Sequence, residues 1–236
     1  MRDDKAIRLL SGVPYFASLD REALEWIARA VIWNQYAGGQ FVFLEGDPCL
    51  GLYLVEKGWA RALKISPEGR EQVIRFVGPQ DVFNEVGVLT GGQNVISVEA
   101  LESLSVLIIR RDTVLELVDL YSSFAQTLIE NLANRVLYAM NMIVDLSLHS
   151  VECRLARFLI DQAAGKAVSR RKWATQAVFA ARIGTVPVVV NRAFRSFVEQ
   201  GLIELGREEI RILDQEKLSR IAAVSSRMET PSGCRS

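Results

Sequence analysis

The chain has 236 residues, 50% hydrophobic and 24% charged, which fits a soluble globular protein of one large or two modest domains. Basic and acidic side chains both number 28, yet residues 1–150 hold 13 basic and 19 acidic, and residues 151–236 hold 15 and 9. One histidine, His149, and three scattered cysteines, Cys49, Cys153 and Cys234, argue against a His-rich metal site, a C-x-x-C motif and a disulfide framework. Without an apolar run near 18 residues or a signal peptide, the expected setting is cytoplasmic, with no membrane partner. The acidic-then-basic split predicts that only the C-terminal part approaches a polyanion.

Residues 1–35 read as two short helices. Leu9, Leu10, Val13 and Phe16 precede a capping stretch, Ser18-Leu-Asp-Arg, and Leu24, Ile27, Ala28 and Val31 follow at helical spacing. Residues 36–110 change to short apolar or alternating runs, divided by Gly, Pro and Asp about every ten residues. That pattern predicts an antiparallel β-sandwich or roll. Phe83–Gln93, FNEVGVLTGGQ, is no clean strand; it reads as a short helix and glycine turn, a natural ligand loop.

Residues 112–150 read as a long helix. Ile129, Leu132, Val136, Ala139, Ile143 and Leu146 recur at steps of three and four, a heptad seam that predicts a homodimer. His149 and Ser150 interrupt the pattern and mark a hinge. A new helix begins near Cys153, and a basic segment, Ser169-Arg-Arg-Lys, leads into residues 174–203.

In that stretch Thr175 is a helix-opening residue, and Val178, Ala181 and Ile183 supply an inward face. Gly184 permits a sharp stop, Thr185 is placed to cap a second helix, and Pro187 suits its first turn. The second helix carries Val190, Phe194, Phe197 and Val198 on one face and Asn191, Arg192 and Arg195 toward another. This is the pattern of a helix-turn-helix, although a purely structural helical hairpin has the same local signals. Leu202–Gly206 and Glu209–Leu213 read as a two-stranded wing, 216–224 as a last helix, and 225–236 as a polar, disordered tail.

The fold class expected is therefore α+β: an effector-sensing β-roll (1–111), a dimerisation helix and hinge (112–150) and a winged helix-turn-helix (151–224). This order of parts resembles the bacterial superfamily of the cyclic-AMP receptor protein and the fumarate-nitrate reduction regulator, over nearly the whole chain. Residues 45–58, EGDPCLGLYLVEKG, resemble the family's first roll hairpin, and Asn84-Glu-Val-Gly-Val-Leu-Thr-Gly-Gly resembles its phosphate-binding cassette. Thr175-Gln, Ile183-Gly-Thr, Asn191-Arg and Gly201-Leu-Ile resemble its DNA-binding motif.

The resemblance implies an effector pocket at Asn84, Glu85, Val86, Asn94, Val95, Ile96, Ala139, Met140 and Ile143. The family's nucleotide binders hold the cyclic phosphate with an Arg-Ser or Arg-Thr pair, for which arginine's bidentate fork is suited. Here those places hold Asn94 and Val95, and the helix positions that would meet a purine hold Ala139 and Met140. A buried phosphate without a cation is poorly compensated, so cyclic AMP and cyclic GMP are not expected to bind. The family's N-terminal cysteine cluster is absent, and Cys49 and His149 make no obvious haem-ligand pair. No cofactor is predicted, and an unidentified small-molecule effector stays open.

For DNA, the resemblance implies contacts from Thr175, Gln176, Thr185, Val186, Pro187, Val188, Val189, Asn191, Arg192 and Arg195, with phosphate contacts also near Arg207. Where the family often carries Arg-Glu, this chain has Pro187 and Val188, which cannot hydrogen-bond a base edge. The expected operator is a palindrome unlike the family's TGTGA or TTGAT half-sites. The implied partners are a second copy of the chain, double-stranded DNA and RNA polymerase. An interaction module with weak or no DNA binding is the alternative reading. An enzyme is not expected: Glu85 has no second carboxylate or base in its motif, and no nucleophile motif occurs.

Overall fold

The computed structural model describes residues 2–163, 167–169, 173–206 and 208–223, with side chains at 167–169 excepted. The chain divides into two compact units, Met1–Tyr138 and Ala139–Ser236.

The first unit opens with α1 (Arg2–Ser11), a 3-10 turn at Pro14–Phe16 and α2 (Arg21–Ala30). Asp20 caps α2, its side chain accepting the Ala23 N–H at 2.8 Å. The helical reading of residues 1–35 overran by five residues: α2 ends at Ala30, and 32–36 form a strand that the helical spacing masks. Eight strands follow: β1 (Ile32–Tyr36), β2 (Phe41–Phe43), β3 (Gly51–Lys57), β4 (Ala60–Ile65), β5 (Glu71–Val77), β6 (Val82–Phe83), β7 (Ser97–Ala100) and β8 (Leu104–Arg110). They make two antiparallel four-stranded sheets, ordered β1-β8-β3-β6 and β2-β7-β4-β5. The irregular insert is α3 (Glu85–Leu89), between β6 and β7, followed by Gly91 and Gly92 at positive φ.

Alternation along β3 and β8 explains their unbroken apolar sequences. Tyr53, Val55, Val106 and Ile108 point between the sheets and meet Phe43, Phe83 and Val98. Leu52, Leu54, Leu107 and Ile109 point the other way, onto Phe16, Ile27, Val114, Leu117 and Phe124 of the flanking helices. A sheet covered on both faces needs apolar residues at every position, not every second one. Gly51 is required where β3 meets β8, because a Cβ there would lie 1.9 Å from the Ile109 carbonyl oxygen.

Residues 112–150 are two helices rather than one, α4 (Arg111–Leu120) and α5 (Ser122–Leu148), separated at Tyr121 by extended backbone. The apolar spacing runs through that break, so periodicity alone did not reveal it. Along α5, Phe124 and Leu128 are buried in the first core and Leu132 is half-buried against it.

The second unit contains α6 (Val151–Gln162), β9 (Ala167–Ser169), α7 (Gln176–Ile183), α8 (Pro187–Glu199), β10 (Ile203–Leu205), β11 (Glu209–Ile212) and α9 (Gln215–Ala223). Ser150 caps α6 through the Cys153 N–H. The wing is three-stranded, β10-β11-β9, since Ala167–Ser169 joins the two strands the sequence predicts. Leu155, Leu159, Phe179, Ile183, Val190, Phe194, Phe197, Ile203, Ile210, Ile212 and Leu218 form its core. Phe179 stands edge-on to both Phe158 and Phe194, with ring centroids 5.5 Å apart in each pair. Arg207 and the tail expected to be disordered lie outside the described residues.

Candidate functional site

Two loci gather most of the predicted pocket and DNA-contact residues, one in each unit. In the first, Asn84 takes left-handed backbone at φ 77° and starts α3. Its Nδ2 donates to Asn94 Oδ1 at 2.9 Å and to the Gly51 carbonyl at 3.1 Å, and lies 3.2 Å from Cys49 Sγ. Asn84 and Asn94 are both buried, and Asn84 Oδ1 and Asn94 Nδ2 have no partner among the described residues. An unpaired buried polar atom costs about 1–3 kcal/mol. Gly87 keeps this corner open, since a Cβ there would lie 2.7 Å from Asn84 Oδ1. The Cys49 thiol is half-buried, and burial pushes its pKa up, away from the reactive thiolate.

Glu85 is 5% exposed. Its Oε1 accepts from Tyr15 Oη at 2.7 Å and from Arg135 Nη2 at 3.1 Å, and the same Nη2 lies 3.2 Å from the Val82 carbonyl. Burial pushes the Glu85 carboxyl up from its ordinary value, while the Tyr15 hydroxyl pulls it back. Burial also raises the Tyr15 phenol, and the adjacent carboxylate adds to the shift. A cavity of about 390 Å³ opens beside this network, lined among others by Gln80, Asp81, Asn131 and Asn134. Gln80 adds backbone at φ 69°, rare for a residue with a side chain.

Among the other predicted pocket residues, Val86 is exposed, Val95 is half-buried, and Ile96 packs partly on the inter-sheet core. Ala139, Met140 and Ile143 are exposed on the part of α5 beyond Tyr138. Along the predicted seam, Ile129, Val136, Ala139, Ile143 and Leu146 are exposed, Ile129 and Ile143 by 65% and 64%.

The sequence reading missed Tyr15 and Arg135. Arg135 left a signal: no other basic residue occurs between Arg111 and Arg154. Tyr15 left none, because its partner lies 70 positions away.

In the second unit the chain turns by 98° between α7 and α8, within the range of a helix-turn-helix. Thr175 caps α7, its hydroxyl 3.4 Å from the Val178 nitrogen. Gly184 ends α7 at φ 69°, its N–H bonded to the Ala180 carbonyl. Val186, not Thr185, is the N-cap of α8, with no side-chain bond, and Pro187 follows in the first turn. Thr185 instead belongs to the turn, its N–H reaching the Ala180 carbonyl at 2.9 Å.

The inward face of α8 is Val190, Ala193, Phe194 and Phe197, while Val198, predicted inward, is exposed. Outward stand Val186, Pro187, Val188, Arg192 and Arg195, with Val189 and Asn191 half-buried. Gln176 is exposed at the start of α7. Among the described residues no side chain pairs with Arg192 or Arg195. Among the described residues no acidic, His or Cys cluster fits a metal ion, and no single helix is long and apolar enough to cross a membrane.

A covered β-roll with a helical insert, followed along the chain by a winged helix-turn-helix, is the architecture of a transcription regulator with a cyclic nucleotide-binding-like domain. The cyclic nucleotide-binding domain family model matches residues 33–121, and the Crp-like helix-turn-helix domain model matches 153–221. The chain belongs to the superfamily of the cyclic-AMP receptor protein and the fumarate-nitrate reduction regulator. It is 26% identical over 220 residues to the CRP-like cAMP-activated global transcriptional regulator of Mycobacterium tuberculosis, covering 91% of this chain and 98% of that one. It is 27% identical to the cyclic AMP receptor protein of Thermus thermophilus, covering 90% and 98%. Its fold resembles that of FixK2 from Bradyrhizobium japonicum, with a TM-score of 0.73, 21% identity and coverage of 81% and 96%.

Proposed function

We propose that the chain is a homodimeric, sequence-specific DNA-binding regulator whose β-roll answers to a signal other than cyclic AMP. The observation that carries the reading is the outer face of α8, where Arg192 and Arg195 stand exposed and unpaired among the described residues. Arg61, by contrast, is held by Glu71 and Glu99. Thr175 and Gln176 at the start of α7 suit a phosphate, because free N–H groups and the helix dipole favour an anion there. The exposed apolar stripe on α5 fits a second copy of the same helix.

Two relatives are named for cyclic AMP, but this chain differs where that ligand's charge would sit. By the resemblance, Asn94 and Val95 occupy the places of the phosphate-holding pair. Asn94 is buried, neutral and bonded to Asn84. The open edges of that pair, Asn84 Oδ1 and Asn94 Nδ2, suit a neutral polar group rather than a phosphate. This reading assigns no catalysis, a cytoplasmic setting, and RNA polymerase as the partner on DNA.

The test is titration of genomic DNA fragments at several salt concentrations, with and without cyclic AMP. Binding that weakens steeply with salt and ignores cyclic AMP is expected, because counterions are released when phosphates are neutralised. DNA binding that appears only with cyclic AMP overturns the signal assignment. No salt-dependent binding returns the chain to an interaction module.

A further inference from the structure

The start of α8 is unusual for a surface that approaches a polyanion. Val186 and Val188 are 58% and 69% exposed, with Pro187 between them, and none of the three side chains can donate or accept a hydrogen bond. Val188, Arg192 and Arg195 follow at steps of four and three and share one helix face. A partner laid along that face meets the apolar first turn and the two mid-helix arginines together, and the arginines favour an anionic one.

In a major groove, an apolar side chain has one feature to recognise at a base edge, the thymine 5-methyl group. We propose that Val188, assisted by Val186, reads a thymine methyl in each half-site. The inference rests on the DNA-binding reading above. One helical turn is about 5.4 Å and one base step about 3.4 Å. Val188 thus falls one to two base pairs from the base that Arg192 reads. Valine rejects G·C there by leaving the cytosine amino group and the guanine acceptors without partners. Specificity at this position comes from fit and from the penalty on polar edges, not from a hydrogen bond.

The test begins with selection of the preferred operator from random DNA by the full-length protein. Each thymidine of that operator is then replaced in turn by deoxyuridine, which lacks the methyl and keeps every hydrogen-bonding group. Affinity is measured for the wild type, for Val188→Ala and for Val186→Ala. The expected result is one thymine per half-site whose replacement weakens wild-type binding about fourfold, the worth of one buried methyl-sized group. The loss shrinks to less than twofold in Val188→Ala, whose exposed position leaves folding intact. 5-Methylcytosine placed at the same position recovers part of the affinity of a T-to-C operator. Selection that enriches an operator with no methyl-sensitive thymine overturns this inference and leaves the DNA-binding reading standing. The same holds if methyl sensitivity is unchanged in Val188→Ala. Selection that enriches no sequence overturns both.

Discussion

Two pairs of arginines, one pair in each unit, are used in opposite ways. In the first, Arg135 is turned onto Glu85 and the Val82 carbonyl, and Arg61 is clamped between Glu71 and Glu99. In the second, Arg192 and Arg195 lie on an exposed face with no partner among the described residues. Guanidinium groups satisfied internally hold strands and helices in register. Guanidinium groups left open are hydrated and keep their donors available to an incoming partner. Residue type does not separate these roles; the presence of a nearby acceptor does.

The contrast breaks most severely at Gly51→Ala, where a methyl would overlap the Ile109 carbonyl. The expected cost exceeds about 3 kcal/mol, and calorimetry should show the first unit's transition lost while that of residues 139–236 persists. Glu85→Ala follows, leaving Tyr15 and Arg135 without their acceptor at about 2–3 kcal/mol, read as a lower urea midpoint for the first unit alone.

Arg192→Ala acts on the other side of the contrast. It should leave both transitions unchanged and cost about 1–3 kcal/mol of discrimination at one base pair per half-site, measured by competition between the operator and its point variants.

Alkaline pH sharpens the comparison, because all five tyrosines, Tyr15, Tyr36, Tyr53, Tyr121 and Tyr138, lie in the first unit. Burial raises the phenols of Tyr15, Tyr36 and Tyr53 above their ordinary value. A group that holds its proton more tightly when folded contributes stability fully present below the unfolded-state pKa, about 10, and lost as pH rises beyond it. The first unit should weaken above that pH by up to about 1.4 kcal/mol per unit for each such phenol, with a shallower slope in Tyr15→Phe. The smallest effect is Arg195→Ala. Read as a phosphate contact, it should weaken all DNA sequences alike and reduce the salt slope by about one per protomer.

Much of this architecture was legible in the sequence because local chemistry and tertiary role coincided. Thr175, Gly184 and Pro187 mark α7 and α8, and the glycine-punctuated runs mark β3, β4 and β5. Three features escaped for physical reasons. Strand β1 follows α2 directly, so Val31 continued the helix's apolar spacing into it. The break at Tyr121 costs no change in apolar pattern. The short β9 is held by pairing with β11, more than 40 residues later, not by its own composition. At the candidate site, Asn84, Glu85 and Asn94 were found through the motif they occupy. Tyr15 and Arg135 were not, because a contact closed by the fold leaves no spacing in the chain.

Strands β3 and β8, covered by the inter-sheet core on one side and by helices on the other, carry a consequence for deuterium labelling. Both strands lie inside the sheet order, so their amides are expected to exchange only when the whole first unit unfolds. The outer strand β5 and the turn leading to β6 open with far smaller excursions. Uptake at Leu52–Val55 therefore records global stability, and uptake near Gln80 records whatever reaches the cavity beside Tyr15. A molecule that slows the second without slowing the first has bound locally and left the roll's stability unchanged.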